Sequence, residues 1–223
     1  MATLLFIAAL LLLPALYVRD SRVARRQRGN YFAGCLELFD SYRVVRQGQG
    51  FPLLTGRYRG ADVRLELVMD DMAWRKLPCL WLKVTVLAPN PQRGMLGLLV
   101  RARGTEFYSP TAEMKEGLAL PASFPSDAIL RSDDAATAPV TAVQNRIEIF
   151  SDARMKELVV TPLGVRLVYQ LAQAERAEYL VLRQANFSAQ QVDTALARQL
   201  LDSVLAIAAS VDRAEMLREP VAA

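Results

Sequence analysis

Residues 53–70 read LLTGRYRGADVRLELVMD. After the glycine at 60, Val63, Leu65, Leu67 and Met69 alternate with Arg64, Glu66 and Asp70, the period of a strand with one buried face. Together with residues 53–58 and a break at Gly60-Ala61-Asp62, the stretch predicts a β-hairpin. The same period returns downstream, where Leu80, Leu82, Val84 and Val86 stand opposite Trp81, Lys83 and Thr85. A further strand is expected at 95–103, entered through Pro89-Asn90-Pro91, so that four runs form an antiparallel meander.

Residues 104–136 hold Pro110, Pro121 and Pro125 among several Gly, Ser and Asp. They read as connection, with a short strand at 128–131, and as the place for an internal sub-boundary. Thr137 is positioned to cap a helix with Pro139 in its first turn, running through Val140, Val143, Ile147 and Phe150. A second hairpin is expected at 158–171, turning at Pro162-Leu163-Gly164, then a strand at 179–183. The triplet Val-Arg-Leu follows a glycine-containing turn at both 63–65 and 165–167, weak support for a duplication because hairpins resemble one another for generic reasons.

Helical periodicity marks the two ends of the domain. Tyr31, Phe32, Cys35, Leu38, Phe39, Tyr42 and Val45 fall at helical spacing and predict a helix over 30–46 with an aromatic stripe toward the core. At the other end, Ser188 and Gln191 have capping-box spacing, and Val192, Leu196, Leu200, Val204, Ile207 and Val211 follow every three or four positions. They predict a helix over 190–212, with Gln190, Asp193, Arg198, Gln199 and Asp202 on its solvated face.

Upstream of all this, residues 2–18 contain no charge and would span about 26 Å as a helix, enough to cross a bilayer whose flanks adapt. No Lys or Arg precedes the run and no small-residue cut site follows it, which favours a retained anchor over a cleaved signal. The segment Phe32-Ala33-Gly34-Cys35 resembles a lipoprotein cut site, yet Arg25, Arg26 and Arg28 lie where its apolar region belongs. Of the 27 basic and 23 acidic residues, five arginines (Arg19, Arg22, Arg25, Arg26, Arg28) and one acid fall in the first thirty positions, leaving 22 of each beyond. The basic balance therefore belongs to a juxtamembrane segment, which predicts an N-out, C-in orientation across a bacterial cytoplasmic membrane, with an exported domain as the alternative, and no nucleic-acid partner. The same arginines are candidate contacts for anionic lipid headgroups.

Composition limits the chemistry. There is no histidine, so imidazole is absent as base, nucleophile partner and ligand. Cys35 and Cys79 are too few for a thiolate zinc site and leave one disulfide as an option if the domain is exported. Cys79, in Leu77-Pro78-Cys79-Leu80-Trp81, reads as a buried, inert thiol, and Trp74 and Trp81 as core or partner surface. No phosphate loop and no G-x-S-x-G elbow occurs. The pairs Asp70-Asp71 and Asp133-Asp134 are candidates for a divalent cation or carboxylate chemistry, though adjacent strand residues point to opposite faces.

The expected class is α+β. A single N-terminal transmembrane helix (1–18) and a basic juxtamembrane stretch (19–29) lead into a domain at 30–213 of antiparallel strands packed with amphipathic helices, then a tail at 214–223. With no catalytic, cofactor or metal constellation, the expected function is a membrane-tethered, non-catalytic interaction or assembly module with a membrane-associated protein partner. The alternatives are a carboxylate- or metal-dependent anchored enzyme and an anionic-lipid-binding module.

Overall fold

The computed structural model describes residues 31–46, 50–71, 77–89, 94–176, 179–180, 185, 187–189 and 191–216, together with Leu12. The expected anchor (apart from Leu12), the arginines at 19–28, Trp74 and the last seven residues lie outside these. Among the described residues nine strands form one sheet in the order β1-β2-β3-β4-β9-β8-β5-β7-β6, antiparallel at every pairing. They are β1 (Ser41–Arg46), β2 (Pro52–Tyr58), β3 (Ala61–Asp70), β4 (Cys79–Leu87), β5 (Leu96–Val100), β6 (Glu116–Gly117), β7 (Ala128–Ser132), β8 (Met155–Thr161) and β9 (Gly164–Gln173).

The first hairpin forms as its alternation requires, with Leu54 opposite Leu65 and Tyr58 opposite Ala61. Its turn lies one residue earlier than expected, at Arg59 and Gly60, both at positive φ, the two-residue geometry whose twist matches the flanking strands. The meander is shorter than expected: β4 pairs with β9, and the second hairpin separates it from β5. β5 itself stops at Val100 because Arg101 turns to a φ of 50°.

The helix expected over 30–46 is corrected. Only Ala33–Leu38 is helical, as a 3₁₀ segment, and Ser41–Arg46 is the edge strand β1. The adjacent Val44 and Val45 suit a pleated strand better than a helix, and β1 pairs along its whole length with β2. The stripe divides accordingly: Tyr31, Phe32, Cys35 and Phe39 are buried, whereas Tyr42 and Val44 are exposed.

The helix expected from Thr137 breaks into Val140–Gln144 and a 3₁₀ turn at Ile147–Ser151. Thr137 does not cap it; its hydroxyl donates to Asp134 Oδ2 at 2.7 Å. Tyr179 and Leu180, placed in a strand by their sequence, are helical.

The C-terminal helix spans Thr194–Met216, shifted four residues from the expected range. Its cap is Asp193 rather than Ser188: the Leu196 N–H donates to Asp193 Oδ1 at 2.9 Å. Asp193→Ala is expected to cost about 1 kcal/mol, read as a lower urea midpoint at unchanged slope. By length and composition this helix could also cross a membrane, but Ala197, Leu200, Leu201, Val204, Ile207 and Val211 are buried in the core it closes. It packs across β4 and β9, and Tyr58 and Arg59 of the hairpin turn both bond Asp202. The N-terminal segment is tied to its start: the Val192 N–H donates to the Tyr31 carbonyl at 2.8 Å, and the Thr194 hydroxyl to that of Gly34 at 2.6 Å.

Helix and 3₁₀ segment thus cover one face of the sheet. Among the described residues, the 3₁₀ turn Thr111–Glu113 is the helical segment on the second face. The surface of that face is made by the residues out of phase with the core, including Arg64, Glu66, Lys83 and Arg166, and is partly covered by the loop at 101–114.

Candidate functional site

The out-of-phase residues of β3, β4, β8 and β9 line up across the strands, because Glu66 pairs with Lys83, Lys83 with Val168 and Val168 with Glu157. One row therefore sets Glu66 beside Lys83 and, beyond the apolar Val168, Glu157. Next to it, Arg64 pairs with Thr85 and Thr85 with Arg166. Glu157 is fully buried; its Oε1 accepts from the hydroxyls of Ser109 and Thr111, and its Oε2 lies 3.6 Å from Arg166 Nη2. Burial pushes the Glu157 carboxyl above its ordinary value, against the hydroxyl donors and the neighbouring cations.

Those hydroxyls belong to the loop, which lies on the sheet because Gly97 lets it. A Cβ at Gly97 would overlap the Thr111 side chain. A register shift between Met155 and Glu157 in β8 places Lys156 as the extra residue of a bulge, a device that re-aims a side chain. Its Nζ lies 2.9 Å from Glu106 Oε1 and donates to the carbonyls of Val100 and Arg101. Both side chains of this pair are under one-tenth exposed. Burial alone would raise Glu106, but the hydrogen bond and charge of Lys156 and the Arg103 N–H outweigh it and hold the carboxyl below its ordinary value. Burial likewise lowers the Lys156 ammonium, opposed by Glu106.

Between this loop and the ends of β4 and β9 opens a polar cleft of about 280 Å³, lined by Asp70, Leu77, Cys79, Trp81, Arg101, Arg103, Thr105, Glu106, Tyr108, Lys156, Gln170 and Gln173. Trp81 and Tyr108 pack ring to ring, with centroids 5.4 Å apart, against Val168. Each is 7% exposed. Neither the Trp81 indole nitrogen nor the Tyr108 hydroxyl has a hydrogen-bond partner among the described residues. Such orphans are uncommon in folded proteins and call for an explanation.

A second cavity, beside the 3₁₀ turn at Ile147–Ser151 and the C-terminal helix, differs in this respect. There Asp202 is bonded to Tyr58 and Arg59, and Asp152 accepts from Tyr169 at 3.0 Å.

Of the acidic candidates, Asp70 ends β3 opposite Cys79 and lines the cleft, while Asp71 is exposed beyond the strand. Asp133 accepts the Met95 N–H at 2.5 Å, and Asp134 accepts from the Ala136 N–H and the Thr137 hydroxyl. The second pair therefore shapes a turn. No group of three or more His, Cys, Asp or Glu able to hold a metal occurs among the described residues.

Cys35 and Cys79 form no disulfide, which removes that option. Cys35 is buried, as its register required, its thiol pushed up to about 11 by burial and by Asp193. Cys79 is only half-buried and lies at the cleft, a correction to the buried thiol expected from its neighbours. Arg19, Arg22, Arg25, Arg26 and Arg28 fall outside the described residues.

Sequence reasoning missed Tyr108, Glu106 and Lys156. One signal for the site was present: Trp81 stands in phase with Lys83 and Thr85, which places a large aromatic on the polar side of its strand.

No protein-family model and no characterised protein matches the sequence. Among solved structures, the chain is similar to the mycobacterial trehalose monomycolate transport factor A, TtfA, with a TM-score of 0.40 and 10% identity over 91% of this chain and 99% of that one. A likeness at that level supports no inference about function.

Proposed function

We propose that the chain is a membrane-tethered, non-catalytic interaction module that receives its partner at the cleft on the face of the sheet opposite the C-terminal helix. The observation that supports this reading most strongly is the pair of buried, unpartnered polar atoms of Trp81 and Tyr108 in one cleft. A fold that holds such atoms gains nothing from them until a partner supplies acceptors. The charges around them are engaged structurally, Lys156 with Glu106 and Arg101 with the Met155 carbonyl, an arrangement that suits recognition rather than turnover.

Tethering rests on residues 2–18 and the arginines that follow, which support a bilayer anchor with the domain on the cytoplasmic side. Protease added to intact spheroplasts should leave the domain whole; digestion from outside would reverse the orientation.

Photocrosslinking tests the module. Substituting Thr105, exposed at the cleft, with p-benzoylphenylalanine in membranes is expected to give a discrete adduct. The same group at Arg198, exposed on the C-terminal helix, should give none. Adducts from both positions alike, or only from Arg198, would contradict the reading.

A further inference from the structure

We propose that the cleft binds a carboxylate group, with the Trp81 indole N–H and the Tyr108 hydroxyl donating to its oxygens and Arg103 supplying the matching charge. The inference rests on the interaction-module reading and names the chemistry of what is bound. An indole nitrogen can only donate. Burial, followed by the surrounding carboxylates, pushes the Tyr108 phenol well above its ordinary value, so at neutral pH its oxygen carries a proton to give. Two neighbouring donors without acceptors require a ligand that brings acceptors.

Charge narrows the class further. Among the described residues, the lining holds three cations, Arg101, Arg103 and Lys156, and two anions, Asp70 and Glu106, a surplus of one positive charge. Lys156 is neutralised by Glu106, and Arg101 donates to the Met155 carbonyl. Arg103 is exposed, and its guanidinium makes no hydrogen bond or ion pair among the described residues. One surplus charge and two single donors fit a monoanion with two oxygens. A phosphate takes several Arg, Lys or backbone N–H donors at once, whereas among the described lining cations only Arg103 is not already engaged by another group. The carboxylate could come from a small organic acid or from the C-terminus of a partner chain.

The full chain in lipid nanodiscs, labelled with ¹⁵N at its indoles, provides the test. It is titrated with N-acetylglycine, its methyl ester, inorganic phosphate, and a short peptide prepared with a free or an amidated C-terminus. The Trp81 signal is assigned by its loss in Trp81→Phe.

The expected result is that the acid, the free-ended peptide or both move the Trp81 N–H resonance, while ester, amide and phosphate do not. Tyr108→Phe should then weaken binding by roughly tenfold or more. Response to the small acid identifies a free acid as the source, and response to the free-ended peptide alone identifies a chain terminus. Equal response to acid and ester, a preference for phosphate, or unchanged affinity in Tyr108→Phe would overturn the carboxylate. Silence toward every carboxylate, with capture from Thr105 intact, would overturn it and leave the module reading standing. Silence in both experiments would overturn both.

Discussion

Gly164→Ala is expected to destabilise the domain by about 4 kcal/mol, a large part of the stability of a typical domain. Gly164 opens β9 at a φ of 145°, where an L side chain is strained, and a Cβ there would overlap the Val86 carbonyl oxygen. Backbone strain contributes about 1–3 kcal/mol and overpacking a similar amount. The overlap is with backbone in the middle of the sheet, where Leu87 pairs with Gly164, so no side-chain rotation relieves it. Gly60→Ala is the control. Its φ of 83° is also strained, but a Cβ there meets nothing within 4 Å, and the cost should stay near 1 kcal/mol. Urea denaturation of the two variants checks both; equal midpoints would contradict the account of β9.

Lys156→Ala should cost about 3–5 kcal/mol, the usual result of removing one partner from a buried pair. It leaves the Glu106 carboxylate buried with its counter-ion gone, and the carbonyls of Val100 and Arg101 without their donor. Replacing both charges, Lys156→Leu with Glu106→Leu, should recover much of the loss, because no uncompensated charge remains. The pH dependence follows from Glu106. Its carboxyl is held below the ordinary value of 4.5, so the unfolded chain binds the proton more readily. The pair's contribution is therefore complete above pH 4.5 and is lost as pH falls through the lower folded value. Acid titration of stability should show this loss in the wild type and not in the doubly substituted chain.

The strands were legible wherever one face is buried and the other polar. Val63 to Met69, Leu80 to Val86 and the residues after Gly164 each hold period two and each became a strand. The C-terminal helix was legible from its apolar stripe, although its cap moved to Asp193 because Val192 is fixed to Tyr31 and the helix starts only after it. Residues 41–46 misled because Tyr42 and Val45 continue a helical spacing that pairing with β2 overrides. The strand order was not legible, since nothing local in β4 tells it to pair with β9 rather than β5.

The candidate site was less accessible still. Lys156 meets Glu106 only because a bulge re-aims it, and Tyr108 lies in a loop whose prolines and glycines read as connection. Lys156 and Glu106 stand 50 positions apart and Trp81 and Tyr108 27, and no short-range pattern encodes either contact.

The central claim is that Trp81 and Tyr108 are placed for binding rather than for stability. The most direct test is the unfolding free energy of Tyr108→Phe without ligand, which keeps the ring against Trp81 and removes only the unpartnered hydroxyl. The account predicts an unchanged stability or a gain of about 1 kcal/mol, because a desolvated group without a partner has been removed. A loss of 1 kcal/mol or more would mean that the hydroxyl already has a structural partner, and would contradict the claim.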